Sequence, residues 1–470
     1  MKKLISILLA LAMILMLIPA TVISAADGIS GFKAVTGDKK VTLSWDAVSG
    51  AKSYSVMWGR SGSKLKEIAK VKSKSVTVSK LKNDTDYDFV IRADSGAETP
   101  LLTVTPSASG VKTVYAAEPV KAEPEHFESA ADAVKNMGVG WNLGNTLDSY
   151  GSWLGSNSSV KAYETAWGNP QATEDLIKAV KKAGFGAMRV PVTWRMTIDS
   201  KGNVRKDWMD RVQEVVDWVL ENDMYCIINI HHDTGSDGWI RASESGYKSA
   251  EKKFTRIWEQ IAERFKDYGE KLVFECMNET LNDASDWNAT DSASAKYIKK
   301  YQQTFVNVVR KSGGNNAERN LIVSPYAASA NTTIINAFTL PDDTVEDHMI
   351  MEIHSYDPQG FTWKDATWTT MRDTWGTDAD KRDMENFIST VAKKAKSLGV
   401  PVIIGEFGSM NKNNDKQRAS HAAYFVKTAK KSGITVFWWD DGGEYTIIDR
   451  KTAKVTKQSI VDALVDSSLG

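Results

Sequence analysis

From about residue 128 the chain repeats one pattern eight times: a short apolar segment, then an amphipathic helical stretch. The apolar segments fall at 138–145, 187–192, 225–232, 271–278, 320–326, 349–356, 401–408 and 434–440. Several are hydrophobic almost without a break, such as Tyr225-Cys226-Ile227-Ile228-Asn229-Ile230, as strands buried on both faces are. Between them, Leu176, Ile177, Val180 and Ala183 recur at helical spacing ahead of Gly184, a natural stop signal. Met209, Val212, Val216, Val219 and Leu220 form a second stripe, and Phe254, Ile257, Trp258, Ile261 and Phe265 a third. Eight strand–helix units predict an α/β fold, a (β/α)₈ TIM barrel over 128–470. An open doubly wound sheet is the competing architecture, but no glycine-rich phosphate loop follows the first strand.

The rest of the chain has a different character. Residues 1–26 read as a signal peptide: Lys2 and Lys3, an apolar run from Leu4 to Ile18, Pro19, and small residues Ser24-Ala25-Ala26 before Asp27. The expected product is exported to the extracellular space, with no membrane association after cleavage. A retained anchor is the alternative. Over 27–107, alternating stretches (Val41–Trp45, Tyr54–Trp58, Val76–Val78, Tyr87–Ile91) are separated by Gly, Ser, Asn and Asp, the spacing of an all-β sandwich. Its expected inner face holds Leu43, Trp45, Tyr54, Val56, Leu81, Tyr87, Phe89 and Ile91. The order Trp45, Tyr54, Leu81, Tyr87 resembles a fibronectin type III domain with Tyr87 at a tyrosine corner. A spacer or docking role is expected for it. Residues 108–127, with Pro119, Pro124 and several alanines, read as a linker.

Barrel enzymes place their chemistry at the C-terminal ends of the strands. The residues there are Asn142 and Asn145, Arg189, His231-His232-Asp233, Asn278-Glu279, His354 and Tyr356, Glu406, and Trp438-Trp439-Asp440. Glu279 and Glu406 end the fourth and seventh strands, so they can face each other across the mouth. Two facing carboxyls, one protonated and one ionised, are the minimum equipment for glycoside hydrolysis. Arg189 and the Tyr356 hydroxyl are the expected stabilisers of an ionised Glu406. Glu279 has no cation on its own strand; lost solvation and the nearby Glu406 charge would hold its proton on, which suits a general acid.

The 59 basic and 59 acidic residues balance, which argues against nucleic acid as a partner. His231 and His232 are adjacent and point to opposite faces of a strand, so no shared metal is expected. Neutral imidazoles there could bind substrate hydroxyls or orient Glu406. His348 and His421 read as surface or packing residues. Cys226 and Cys276, on neighbouring strands, read as buried thiols. Of the 16 tryptophans, Trp218 and Trp258 belong to helix stripes. Trp153, Trp167, Trp239, Trp363, Trp368 and Trp375 fall in loops on the catalytic side, where exposed rings suit a row of sugars. Trp167 and Trp239 are the foremost candidates.

The motifs GWNLGNTLD (140–148), ETAWGNP (164–170), MRVPVTW (188–194), INIHHD (228–233), FECMNE (274–279), IHSYDP (353–358), IIGEFG (403–408) and FWWDDGG (437–443) together resemble glycoside hydrolase family 5. The similarity covers about 130–465 and is strongest to the cellulase branch acting on β-1,4-glucans and xyloglucan. The resemblance implies a retaining endo-β-1,4-glucanase with Glu279 as acid/base and Glu406 as nucleophile. Arg189, His231, Asn278, His354, Tyr356 and Trp439 match the remaining site positions, and His232 one that often contacts substrate. It implies neither metal nor organic cofactor, a β-glucan polysaccharide as partner, and a carboxyl separation of ~5–5.5 Å. Thr280 departs from the proline common after the acid/base residue. A xyloglucanase, mixed-linkage glucanase or β-mannanase is the alternative within the fold; a non-catalytic glucan-binding barrel is the alternative outside enzymes. The protein is expected to be a monomer.

Overall fold

A computed structural model describes residues 28–108, 113–115 and 126–469. The signal segment and most of the linker lie outside the described residues. The chain divides into two compact units, one ending at Pro124 and one starting at Glu125.

In the first unit, the strands are β1 (Lys33–Gly37), β2 (Lys40–Ser44), β3 (Tyr54–Arg60), β4 (Lys66–Val71), β5 (Ser75–Ser79), β6 (Tyr87–Ala93), β7 (Leu102–Val104) and β8 (Thr113–Tyr115). They form two four-stranded antiparallel sheets, ordered β5-β2-β1-β8 and β4-β3-β6-β7. All eight residues expected on the inner face are buried. The Tyr87 hydroxyl accepts the backbone N–H of Lys82 at 3.0 Å, the bond that defines a tyrosine corner. Thr113–Tyr115, read as linker from the sequence, instead pairs with β1. A three-residue strand is too short to show alternation, and its role is to cover an edge that would otherwise lie open.

The second unit is built on β9 (Gly140–Leu143), β10 (Ala187–Val190), β11 (Tyr225–Asn229), β12 (Leu272–Glu275), β13 (Leu321–Val323), β14 (Met349–Ser355), β15 (Val402–Phe407) and β16 (Thr435–Asp440). Each pairs in parallel with the next, and β16 pairs back to β9. That closure makes the sheet a barrel and rules out the open doubly wound alternative. Strand side chains alternate between two environments, as a period of two requires. The outward set, including Met188, Cys226, Phe274, Met351, Ile404 and Trp438, packs against the helical stripes of Val212, Val216, Phe254, Ile257 and Trp258. Cys226 and Cys276 are free, buried thiols. His348 and His421 are buried packing residues.

The inward set is layered. Ala187, Ile227, Val273, Ile322, Ile350, Ile403 and Phe437 form an apolar floor, sealed by Ala130, Ala133 and Val134 of the helix Ala130–Asn136 and by Met137, which follows it. Ser129 caps that helix by accepting the Asp132 N–H. Gly140 completes the floor, because a Cβ there would lie 2.0 Å from the Phe437 ring. Two residues further along the strands come Asn142, Arg189, Asn229, Glu275 and Glu352, all buried. The middle layer is therefore polar and charged, unlike the floor beneath it.

The helix of the third stripe runs over Glu244–Arg264, with Ser243 as its cap. Its first two turns bury only Gly246 and Ala250, so the stripe becomes visible in the sequence only from Phe254.

Candidate active site

The site is assembled by an irregularity in two adjacent strands. Between Ile353 and His354 on β14 the register with β15 shifts, and His354 pairs with Glu406 in place of Gly405. The register of β15 with β16 shifts over the same stretch, between Ile404 and Phe407. Bulges of this kind re-aim side chains next to active sites. Here they turn Glu406 into the barrel mouth beside His354, where strict alternation would have sent one of the two outward.

Arg189 organises the polar layer. Its Nε and NH2 donate to the two oxygens of Glu275 at 2.6 and 2.7 Å. NH1 donates to Glu406 Oε1 at 2.7 Å and to Asn142 Oδ1 at 3.1 Å, and NH2 also reaches Asn278 Oδ1 at 2.9 Å. Asn142 is held in turn by donating to the carbonyls of Gly405 and Trp438. The guanidinium is fully buried; burial opposes its charge, but Glu275, Glu352 and Glu406 outweigh that and hold it protonated. A buried cation matched by hydrogen-bonded carboxylates is a rigid arrangement, since removing one partner strands the others.

Glu406 receives a second donor, the Tyr356 hydroxyl, at 2.8 Å from Oε2. Burial pushes its carboxyl up, yet His354, Arg189 and Tyr356 together hold it below the usual range. It is thus an ionised carboxylate with both oxygens fixed. Glu279 is more open, its side chain 23% exposed against 7% for Glu406. One carboxylate oxygen of Glu279 lies within 4.8 Å of one of Glu406. Although no cation is available on its own strand, Glu279 has one from β14: His354 Nδ1 lies 3.0 Å from Glu279 Oε1 and 3.7 Å from Glu406 Oε2. The His354 imidazole is thus closer to Glu279 than to Glu406. Burial disfavours its charge, but Glu406, Glu279 and Glu352 raise its pKa well above the ordinary histidine value.

Around this pair the structure gathers most of the other site residues expected from the sequence. Asn278 gives its oxygen to Arg189, which directs its NH₂ group away from the guanidinium. His231 is buried and held neutral by that burial, with further contributions from His232, Arg189 and His354. Its ring lies parallel to Trp439, centroids 6.0 Å apart. The Trp439 indole rests against Gly144, where a Cβ would fall 2.7 Å from the ring. Beyond it, Tyr150, Trp167 and His232 form a three-ring cluster with centroid separations of 5.1 to 5.5 Å. Trp167 is 36% exposed and offers an open aromatic face. Asn145 sits in the left-handed region (φ 54°), and its backbone N–H donates to Asp148. Trp239 is placed differently from Trp167: its N–H donates to Asp233 at 2.7 Å, and Lys253 lies 4.9 Å over its ring. It packs against the barrel core rather than joining the ring cluster. Trp375 is buried, whereas Trp153 and Trp368 are exposed.

Asp148, His231 and His232 bring one potential ligand atom each to within 4.8 Å of one another. Both Asp148 oxygens, however, already accept backbone N–H groups, from Asn145 and Thr146. A carboxylate used as a loop clamp in this way is a poor ligand donor, and it lies 3.6 Å from His232 Nε2.

Glu275, Glu352, Asn229, Asp148 and Tyr150 were not among the sequence candidates. The first three could have been found by stepping two residues from each floor residue along its strand. Asp148 and Tyr150 are loop residues whose approach to His232 no local pattern announces.

Comparison with known proteins agrees with this geometry. The family model for cellulase (glycosyl hydrolase family 5) matches residues 147–444, and that for the fibronectin type III domain matches 28–105. Endoglucanase A of Clostridium longisporum is 37% identical over 74% of this chain and 67% of its own length. Among solved structures, a GH5-4 broad specificity endoglucanase from the same organism aligns with TM-score 0.69 at 37% identity, covering 73% of this chain and 99% of its own. PbGH5A of Prevotella bryantii, solved in complex with a xyloglucan tetradecasaccharide, aligns with TM-score 0.67 at 35% identity, covering 73% and 100%. A closed barrel with two carboxylates at its mouth, matched at this level over nearly the whole length of solved relatives, is an endoglucanase barrel, and the chain belongs to glycosyl hydrolase family 5, with a fibronectin type III domain preceding the catalytic one.

Proposed function

We propose that the protein is a secreted, retaining endo-β-1,4-glucanase that cleaves internal glucosidic bonds by double displacement. Glu406, ionised and fixed by Arg189 and Tyr356, attacks the anomeric carbon while Glu279 protonates the departing oxygen. The leaving chain departs, a glycosyl–Glu406 ester remains, and Glu279 then removes a proton from the water that hydrolyses it. The observation that carries this reading is the approach of one Glu279 oxygen to within 4.8 Å of one Glu406 oxygen. Retaining enzymes hold their carboxyls ~5–5.5 Å apart, whereas inverting ones need ~6.5–9.5 Å to admit a water. Asn278, with its NH₂ group unused by Arg189, is suited to the sugar 2-hydroxyl, and Trp439 to the floor beneath the ring. Export is supported by the charged start, apolar run and small residues of 1–26.

The substrate range includes xyloglucan as well as unbranched β-glucan. Supporting this are the broad specificity of one structural relative and the xyloglucan bound to another. The test is hydrolysis of soluble β-glucan, mixed-linkage glucan, xyloglucan and mannan, with product lengths and the first-formed anomer followed by NMR. Internal cleavage releasing the β-anomer is expected. Release of the α-anomer would overturn the double displacement, and preference for mannan would overturn the substrate assignment.

A further inference from the structure

Glu352 has no part in the mechanism above, yet it lies at its centre. It precedes His354 by two residues on β14, so both side chains point into the barrel. Its Oε1 is 3.5 Å from His354 Nε2 and 3.5 Å from Arg189 Nε. Within the described residues, neither that oxygen nor Nε2 has a hydrogen-bond partner at normal distance, and both are buried. Room for the carboxyl comes from β15: a Cβ on Gly405 would sit 1.7 Å from Glu352 Oε1. The opposite edge of the same imidazole faces Glu279 at 3.0 Å.

A buried carboxyl oxygen and an unpartnered ring nitrogen at this separation are jointly satisfied by one proton between them. The proton sits on Oε1 and is given to Nε2, or sits on Nε2 and is given to Oε1. In both cases Nδ1 keeps its hydrogen and can donate only to the carboxylates on its side. We propose that Glu352 is a positioning residue of the reaction: by sharing a proton with Nε2 of His354, it keeps the Nδ1–H of that ring aimed at Glu279 and so sets the pH range over which Glu279 serves as acid and then as base. The inference rests on the acid/base role proposed for Glu279. The charged and titratable groups facing His354 and Glu352 are Glu279 beyond β12, Glu275 on β12, Arg189 on β10, His231 beyond β11, Glu406 on β15 and Tyr356 beyond β14. Burial and the Glu275 charge raise the Glu352 pKa, against the opposing effect of Arg189 and His354, which agrees with a proton retained at this pair.

The sign follows from hydrogen bonding. An Nδ1–H donated to Glu279 favours its ionised form. With the shared proton lost, the ring can turn its hydrogen to Nε2 and leave Nδ1 as an acceptor, which favours protonated Glu279. The experiment is the pH dependence of kcat/KM on a soluble β-glucan for the full chain, Glu352→Gln and Glu352→Ala, with thermal melting of each. The expected result for Glu352→Ala is a basic limb displaced upward by roughly half to one pH unit, the size of one neutral hydrogen bond gained or lost at the acid, whereas Glu352→Gln, whose NH₂ group can donate to Nε2 and keep the hydrogen on Nδ1, should hold the parent limb. Glu352→Asp, which retains a shareable proton, should return the limb toward its original position. A folded Glu352→Ala with the parent limb, or one with a uniform loss at every pH, would overturn the proposal. Glu279→Gln separates the two readings: if that variant hydrolysed the polymer normally, the acid/base role itself would fall, whatever Glu352 does.

Discussion

His354 stands directly opposite Glu406 across the β14–β15 pair, a register reached only because a bulge intervenes between Ile353 and His354. One imidazole thereby contacts both carboxylates, at 3.0 Å from Glu279 and 3.7 Å from Glu406.

Glu406→Ala should remove turnover by ~10⁴–10⁶-fold, the scale reported for losing a nucleophile that works within a unit. With an activated aryl cellobioside and added azide, the product should be the α-glycosyl azide, since the anion then attacks from the face the carboxylate has vacated. Glu279→Ala should give the β-azide under the same conditions. NMR of the products distinguishes the two roles.

Tyr356→Phe removes the donor 2.8 Å from Glu406 Oε2. The Glu406 carboxyl is held low in part by that hydroxyl, so its ionisation should move up, and the acidic limb of kcat/KM should rise with it. A lost hydrogen bond of ~1 kcal/mol corresponds to ~0.7 pH unit. An unchanged acidic limb would show that Arg189 and His354 alone set the charge.

His354→Asn tests stability against pH. The folded-state pKa of His354 is raised. Its contribution is therefore fully present below the unfolded value of ~6.5 and is lost as pH climbs through the folded value. The destabilisation measured by urea unfolding should be largest at pH 5 to 6 and shrink towards pH 9. A penalty that grew with pH would contradict the assigned direction.

Arg189→Met leaves Glu275, Glu352 and Glu406 buried without their cation. Breaking a buried pair in this way costs about 3–5 kcal/mol, so the midpoint of denaturant unfolding should fall markedly at neutral pH. Part of that loss should return under mildly acidic conditions, where the stranded carboxyls take up protons.

Gly405→Ala drives a methyl group to within 1.7 Å of Glu352 Oε1 and should cost about 1–3 kcal/mol by overpacking. Glu352→Ala in the same chain should restore most of it. The coupling energy from this double-mutant cycle reports the steric contact directly, because the sites share it and little else.

The barrel was legible in the sequence because its strands are buried on both faces and its helices carry stripes such as Val212, Val216 and Val219. Both signals follow directly from burial. The residues at the strand ends, from Arg189 to Trp439, were legible because charge interrupts an apolar run there. Glu275 and Glu352 were not, since reading only strand ends passes over a polar residue set inside a hydrophobic strand. Their alternation with Val273 and Ile350 was the signal available. The bulge at His354 leaves no local mark, because it depends on the register of a partner strand about 50 residues away. Trp239 lies apart from the Tyr150–Trp167–His232 cluster: a tryptophan in a catalytic-side loop can spend its N–H on a neighbour such as Asp233, and only tertiary contacts reveal it.

The apolar floor sealed by the helix Ala130–Asn136 has an evolutionary consequence. It anchors the polar layer from below, through strands whose inward side chains are locked to one another, while the loops above carry exposed rings such as Trp153, Trp167 and Trp368. Insertions or exchanges among those loops can retune which polysaccharide is accepted without disturbing a single catalytic distance, so descendants of this scaffold are free to change diet while keeping their chemistry.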